Sequence, residues 1–275
     1  MIKHNDHNHV WLFFAVTYAF SWAFWIPDAL AAQGMNVPTG IAAFLASPYN
    51  PAAFGPLVAA VGLTLFQQGW RGTFALLKRG IDADFERIWL MAIMILPMVL
   101  FGGGILLAIL SGATTPDFSV VRNPAYALVA FFVILVTGGP LQEEFGWRGY
   151  ALPRLQSRFS ALTSSVILGF FWWLWHLPLV FIPGRFMTDN FLLFLALSVE
   201  MMLASILFTW VYNNTNGSVL AALLLHAAIN WSIWLFLPSM KMNFSIIGFT
   251  VVILVIAVLV IIRIWGAARL SRSTA

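Results

Sequence analysis

Long apolar stretches, separated by short polar connections, run through this chain from end to end. One bilayer crossing takes about 17–25 mostly apolar residues of helix. The stretches that reach this length lie near 10–30, 44–66, 88–111, 124–142, 161–183, 191–211, 218–237 and 244–264. They predict an all-α, polytopic membrane protein with about eight transmembrane helices. It would form a single domain over residues 1–275, with a motif-bearing core at about 124–237.

The scarcity of charge supports lipid as the solvent for this chain. Only 9% of the residues are charged and 61% are hydrophobic, whereas a soluble domain carries about 25% charged residues because water must wet its surface. The absence of cysteine excludes disulfides, thiolate metal ligands and cysteine nucleophiles. The net charge of +4 does not come from a long basic run, so we expect no nucleic-acid partner.

Two of the stretches contain residues that disfavour a regular helix. Pro48, Pro51 and Pro56 interrupt the second stretch, and glycines at 102–104 interrupt the third. Packing inside a helix bundle can tolerate such breaks.

The first stretch allows a second interpretation. Residues 29–31, Ala-Leu-Ala, resemble a signal-peptidase site after an apolar run, and cleavage there would leave seven spans. The run from Val10 is long and rich in aromatic residues, and Lys3 is its only basic flank. We therefore expect an uncleaved first span.

Basic residues predict the orientation, because they accumulate on the cytoplasmic side of membrane proteins. With an even number of spans, both termini share one side. The other side would then hold only Arg122, Arg185 and Lys241. The cytoplasmic side would hold Lys3, Arg71, Lys78, Arg79, Arg87, Arg148, Arg154, Arg158, Arg263, Arg269 and Arg272. We expect a multi-pass protein of a prokaryotic cell membrane with both termini cytoplasmic.

Ionisable residues inside apolar spans are costly and usually face a cavity or a partner. Glu143, Glu144 and Arg148 lie at the predicted inner end of span four. Helical residues four apart share a face, so Glu144 is predicted to pair with Arg148. Glu143 is rotated about 100° away, which leaves it available as a general base. A charge cluster that merely sets the topology is the alternative.

Histidines in two later spans add to this set. His176 follows a run of tryptophans in span five, while His226 and Asn230 lie four apart on one face of span seven. Imidazole can act as metal ligand, base or donor to an oxyanion, and the asparagine can donate or accept hydrogen bonds. A lone histidine among aromatics can also be structural. Together with Glu143, these residues predict a site that activates water for hydrolysis.

Two further groups of ionisable residues are less specific. Glu200, midway along span six, could be a third catalytic carboxylate, a partner for a buried histidine or a protonated packing residue; we expect a supporting role. His4, His7 and His9 could bind a metal, but a solvated terminus is the simpler interpretation.

The motifs together resemble those of a known family. Glu-Glu-x-x-x-Arg at 143–148, His176 four residues after an aromatic, and His-x-x-x-Asn at 226–230 resemble the CPBP (CAAX protease and bacteriocin-processing, or Abi) intramembrane proteases. This family includes the type II CAAX prenyl endopeptidases. The resemblance runs from about span two, with Phe-Gly-Pro at 54–56, to span seven.

The resemblance implies an eight-helix fold with a cavity open to the cytoplasm. It implies that Glu143 activates water together with His176, while Glu144 and Arg148 support the site. His226 and Asn230 would stabilise the tetrahedral oxyanion.

The resemblance leaves the metal undecided. Glu143, His176 and His226 could supply three zinc ligands, and the same groups serve a metal-free mechanism equally well. The chain departs from the family in one position. The residue four before the histidine is usually Phe, whereas here it is Trp172, which preserves a wall or stacking role.

Three classes of function are compatible with this pattern. An intramembrane peptidase would cut a peptide or protein substrate in or near the bilayer, and CAAX-type prenylated tails are the best-known substrates of the family. A non-proteolytic scaffold or bacteriocin self-immunity protein of the same fold would not need the full polar set. A transporter would suit broken spans, but no inverted repeat is visible.

Overall fold

Helices account for all the regular structure in the described part of the chain. The computed structural model describes residues 9–113, 123–185, 190–236 and 244–272. The all-α fold is therefore confirmed over these ranges. The helices are α1 (His9–Ala32), α2 (Thr39–Ala46), α3 (Gly55–Lys78), α4 (Ile88–Leu110), α5 (Pro124–Thr137), α6 (Pro140–Gly146), α7 (Leu152–Gln156), α8 (Ala161–Trp175), α9 (Phe191–Asn214), α10 (Val219–Phe236) and α11 (Phe244–Trp265).

The number of membrane spans depends on one bent pair of helices. Within the described ranges, seven helical segments are each long and apolar enough to cross a bilayer. The pair Pro124–Thr137 and Pro140–Gln156 is bent by 45° and makes an eighth span when counted as one. The polytopic architecture is confirmed, and the predicted eight spans correspond to that count. The histidine tail prediction for His4 and His7 lies outside the described residues.

The predicted bounds of the second span are wrong. The long helix α3 begins at Gly55 and continues to Lys78, so it starts later and extends further than 44–66. Proline accounts for the late start, because it cannot donate a backbone hydrogen bond inside a helix and is best accommodated in the first turn. Pro51 opens a short 3₁₀ turn, which is capped by the Asn50 side chain, and Pro56 lies in the first turn of α3.

The three glycines at 102–104 lie inside an unbroken helix, contrary to the predicted interruption. They allow close helix packing instead, because a glycine lets two backbones approach. A Cβ added at Gly104 would lie 2.1 Å from Thr250 Oγ1 and 3.0 Å from the Ile246 carbonyl oxygen. The small residues therefore bring α4 against α11 rather than bending it.

The fourth predicted span ends too early at 142. The chain breaks at Gly138 and Gly139, where Gly139 has a φ of 112°, and helical structure then continues to Gln156. Asn230 Nδ2 donates to the Gly138 carbonyl oxygen over 2.8 Å, and Gln142 Nε2 donates to the Val136 carbonyl oxygen over 2.9 Å. Side chains thus satisfy both of these carbonyl oxygens.

The segment after the break occupies the centre of the bundle. Helix α6 packs against both α3 and α10, and nearly every residue from Pro140 to Leu155 is buried. Glu143 and Glu144 therefore do not mark the end of an apolar span, as their polarity suggested. They lie inside the helical structure that completes it.

Candidate active site

Glu144 is the centre of a fully buried charge network. Arg148 Nη1 donates to its two carboxylate oxygens over 2.9 and 3.0 Å. His226 Nδ1 lies 2.7 Å from Oε1 of the same carboxylate. A carboxylate only accepts hydrogen bonds, so Nδ1 carries the proton and donates. The predicted pairing of Glu144 with Arg148 is confirmed, and His226 is an additional partner of the pair.

The helix geometry explains how Arg148 reaches its partner. It lies four residues after Glu144, and its backbone belongs to a π-helical turn at Trp147–Ala151. Such turns are rare and recur at functional sites. The guanidinium carbon of Arg148 lies 3.8 Å from the centre of the Phe208 ring and 4.8 Å from that of Trp172. Aromatic faces therefore enclose a cation whose charge the carboxylate balances.

Glu143 is buried as well, but different partners hold it. Its Oε2 accepts from Trp172 Nε1 over 2.7 Å and from Trp147 Nε1 over 3.2 Å. Its Oε1 faces Gly139, where an added Cβ would lie 2.8 Å from Oε1 and 3.5 Å from His226 Nε2. The carboxylate oxygen and the imidazole nitrogen therefore face a common position, which Gly139 leaves clear of any side chain.

His226 and Asn230 lie one turn apart on α10, as predicted. Glu144 orients the ring of His226 through Nδ1, while the amide of Asn230 donates to the Gly138 carbonyl oxygen. Asn230 therefore stabilises the backbone break that carries Gly139. An amide nitrogen has two hydrogens, and this contact engages one of them.

His176 directly follows the last residue of α8 and precedes a 3₁₀ turn at Leu177–Phe181. Its Nδ1 donates to the Trp172 carbonyl oxygen over 2.8 Å, so Nε2 holds the lone pair of the neutral ring. The ring packs edge-on against Trp175 with centroids 4.6 Å apart. The Trp172 ring lies against both histidines, with its centroid 6.0 Å from that of His176 and 5.8 Å from that of His226. Trp172 thus links His176 to Glu143: its carbonyl oxygen accepts from His176, and its indole donates to Glu143.

Within the described ranges, no group of three or more His, Cys, Asp or Glu side chains could hold a metal ion. Glu143, His176 and His226, named above as candidate zinc ligands, do not form such a group. The described arrangement does not fit a three-ligand zinc site, and zinc binding stays a prediction.

Sequence reasoning missed two contributors to the site and part of the role of a third. Gly139 was not singled out, and Trp147 gave no signal beyond its position inside the first motif. Trp172 was expected to form a wall, but it also donates a hydrogen bond. Its departure from the family's Phe was the signal that could have revealed this.

Glu200 lies half-buried on α9, and its predicted supporting role stays a prediction.

Comparison with known proteins supports the motif-based resemblance. Residues 125–232 match the family described as type II CAAX prenyl endopeptidase Rce1-like. This match contains all six residues predicted for the site. The resemblance to the CAAX prenyl endopeptidases is confirmed. CAAX prenyl protease 2 of Methanococcus maripaludis is 36% identical over 92 residues, which cover 32% of this chain and 34% of the relative. The aligned part therefore spans about a third of the length of the curated relative.

Proposed function

We propose that this chain is an intramembrane endopeptidase that hydrolyses a peptide bond through a water molecule activated by Glu143. One observation carries the proposal. Glu143 Oε1 and His226 Nε2 face the same position beside Gly139, while Arg148 already balances the charge of the adjacent Glu144. A carboxylate without a cationic hydrogen-bond partner suits a general base. The match to the CAAX prenyl endopeptidase family supports the same activity.

The proposed reaction begins with proton transfer from water to Glu143 Oε1. The hydroxide oxygen attacks the carbonyl carbon of the scissile peptide bond, and the carbonyl electron pair moves onto oxygen. The tetrahedral intermediate then collapses, the carbon–nitrogen bond breaks, and Glu143 returns the proton to the leaving amine. His176 Nε2 accepts a hydrogen bond from the second hydrogen of the water. This bond orients the lone pair of the water oxygen towards the carbonyl carbon.

His226 and Asn230 are proposed to stabilise the oxyanion. To donate there, His226 Nε2 must carry a proton in addition to the one on Nδ1, so the ring is proposed to be positively charged when it meets the oxyanion, with Nδ1 still donating to Glu144. Asn230 would use the amide hydrogen that does not bind Gly138. Donors held in place before the reaction stabilise developing charge without reorganising, and both residues are fixed by contacts on their other side.

We propose a glutamate-type mechanism and route no step through a metal. The support is that Glu143, His176 and His226 do not form a metal-binding group within the described part of the chain. The expected outcome is that cleavage by the purified protein survives treatment with 1,10-phenanthroline. Loss of cleavage that zinc restores would contradict it.

The proposed substrate is a peptide or protein at the membrane. The relative from Methanococcus maripaludis is named a CAAX prenyl protease, so a prenylated CAAX tail is the first substrate to test. Both termini are proposed to be cytoplasmic, on the basic-residue distribution given above, in a prokaryotic cell membrane.

Substitution of Glu143 by Gln tests the proposal, because the amide keeps the shape and cannot take a proton. We expect cleavage of a prenylated CAAX peptide to fall by about a hundred- to ten-thousandfold, with the variant still inserted and folded. Glu86→Gln, the same change at an exposed position, is the matched control. Comparative proteomics of trimmed membrane proteins in cells with either variant would reveal other substrates. Unchanged cleavage by Glu143→Gln would refute the proposed function.

A further inference from the structure

Two tryptophans from different helices donate to one oxygen of Glu143. Trp147 lies one turn after Glu143, and Trp172 comes from α8. Their indole nitrogens lie 3.2 and 2.7 Å from the same atom, Oε2. Both rings are buried, with exposed fractions of 0% and 6%. The other oxygen, Oε1, is the one that faces Gly139 and His226 Nε2.

The chemistry of the indole suits a particular task. An indole N–H donates a hydrogen bond but cannot accept one, so it holds a carboxylate oxygen without competing for the proton that the carboxylate takes up. It is also uncharged, so it does not turn the base into half of an ion pair. Histidine or lysine in the same place would exchange protons with the base or neutralise it.

We propose that Trp147 and Trp172 are positioning residues that assign the two oxygens of Glu143 to different tasks. The indoles bind Oε2 and thereby direct Oε1 to the position beside Gly139, where it accepts the proton from water. This inference rests on the proposed function and adds the choice of oxygen to it.

Trp172 contributes more to this arrangement than Trp147. Its hydrogen bond is shorter, and it joins α8 to α6. Its carbonyl oxygen also accepts from His176 Nδ1, and its ring packs edge-on against His226 with centroids 5.8 Å apart. A phenylalanine could make the ring contact but not the hydrogen bond. The hydrogen bond to Glu143 Oε2 therefore depends on tryptophan at this position.

Indole resonances test the contact independently of any activity. Uniformly folded protein labelled with ¹⁵N at its 13 tryptophans gives one indole N–H signal for each, assigned through single Trp→Phe variants. In Glu143→Leu, the Trp147 and Trp172 protons are expected to move upfield because they lose a carboxylate acceptor. Trp173, which donates to Ser198 Oγ over 2.9 Å, should keep its position. Unmoved signals for Trp147 and Trp172 would overturn the inference.

Kinetics of Trp172→Phe test the consequence. We expect kcat to fall about tenfold or more, since one hydrogen bond to a charged group is lost, while KM stays nearly constant because the base does not bind substrate. Trp173→Phe removes a matched indole hydrogen bond on the same helix and should leave kcat unchanged. The double variant Trp147→Phe/Trp172→Phe should deviate from additivity, since both donors act on one atom.

The outcomes separate the two proposals. If the wild-type protein cleaves but Trp172→Phe keeps a full kcat, the positioning role is refuted and the proposed function stands. If Glu143→Gln retains full cleavage, the proposed function fails, and the indole resonances still decide whether the two tryptophans hold Glu143. If Trp172→Phe does not fold, the Glu143→Leu resonances decide alone.

Discussion

The two halves of the bent fourth span differ in burial: the first is largely exposed on the outside of the bundle, and the second is enclosed by other helices. Before the break, α5 buries only Ala127 and Phe131, and Leu128 and Phe132 are 60% and 56% exposed. After the break, nearly every residue from Pro140 to Leu155 is buried. The first half carries no charged side chain, whereas the second contains two carboxylates and two arginines.

The difference shows what allows charge at membrane depth. A lipid-facing helix must be apolar because lipid offers no hydrogen bonds. A helix enclosed by its neighbours can carry ionisable groups, provided that protein partners satisfy them. Here Arg148 and His226 satisfy Glu144, and two indoles satisfy one oxygen of Glu143. The break at Gly138 and Gly139 separates the two environments.

The largest effect is expected from breaking the charge network of the enclosed half. Arg148→Met removes the cation and leaves the buried Glu144 carboxylate with His226 alone. Loss of one partner of a buried pair costs about 3–5 kcal/mol, so the variant should unfold at a markedly lower temperature in detergent. Arg158→Met, at an exposed arginine, should change little. Equal thermal stability of the two variants would contradict the structural role of the network.

A smaller effect is expected at the break itself. Gly139→Ala combines a strained φ of 112° with a Cβ 2.8 Å from Glu143 Oε1. The backbone strain costs about 1–3 kcal/mol, and the methyl group should also displace the carboxylate and abolish cleavage. Gly112→Ala is the matched control, because Gly112 has a φ of 96° with nothing near its Cβ position. Cleavage assays and thermal unfolding of both variants would separate strain from obstruction. Retained cleavage by Gly139→Ala would show that the position beside Gly139 is not used.

The bond across the break should contribute less. Asn230→Asp removes the amide donor to the Gly138 carbonyl oxygen and is expected to cost about 1 kcal/mol. Cleavage should fall as well, because the variant loses both the bond that holds the turn carrying Gly139 and the proposed donor to the oxyanion. Asn214→Asp removes a similar donor to the Trp210 and Leu270 carbonyl oxygens, far from the site in sequence, and should leave cleavage intact. Equal kcat values for the two variants would argue against both proposed roles of Asn230.

The smallest effect is expected on the lipid-facing half. Phe132→Ala truncates an exposed side chain of α5 and should change the free energy of unfolding by no more than about 0.5 kcal/mol. Thermal unfolding in lipid nanodiscs measures this directly. A larger loss would mean that a partner, rather than lipid, covers this face of α5.

The sequence by itself determined the class of the protein and indicated six of the residues that are proposed for its site. The scarcity of charged residues indicates that lipid rather than water covers much of the surface. The length of the apolar runs indicates that helices cross the bilayer. Spacing alone predicted the Glu144–Arg148 pair, since residues four apart meet on any helix. The bounds near Ile88, Ala161 and Phe244 followed from the same composition.

Only the tertiary structure decided what surrounds the charges. Polar residues after 142 resembled the end of a span, because composition reports polarity and does not report enclosure by other helices. The hydrogen bond from His226 to Glu144 joins residues 82 positions apart, and the one from Trp172 to Glu143 joins residues 29 apart. No local period predicts such contacts. They depend on how α6, α8 and α10 pack, and that packing distinguishes the two oxygens of Glu143.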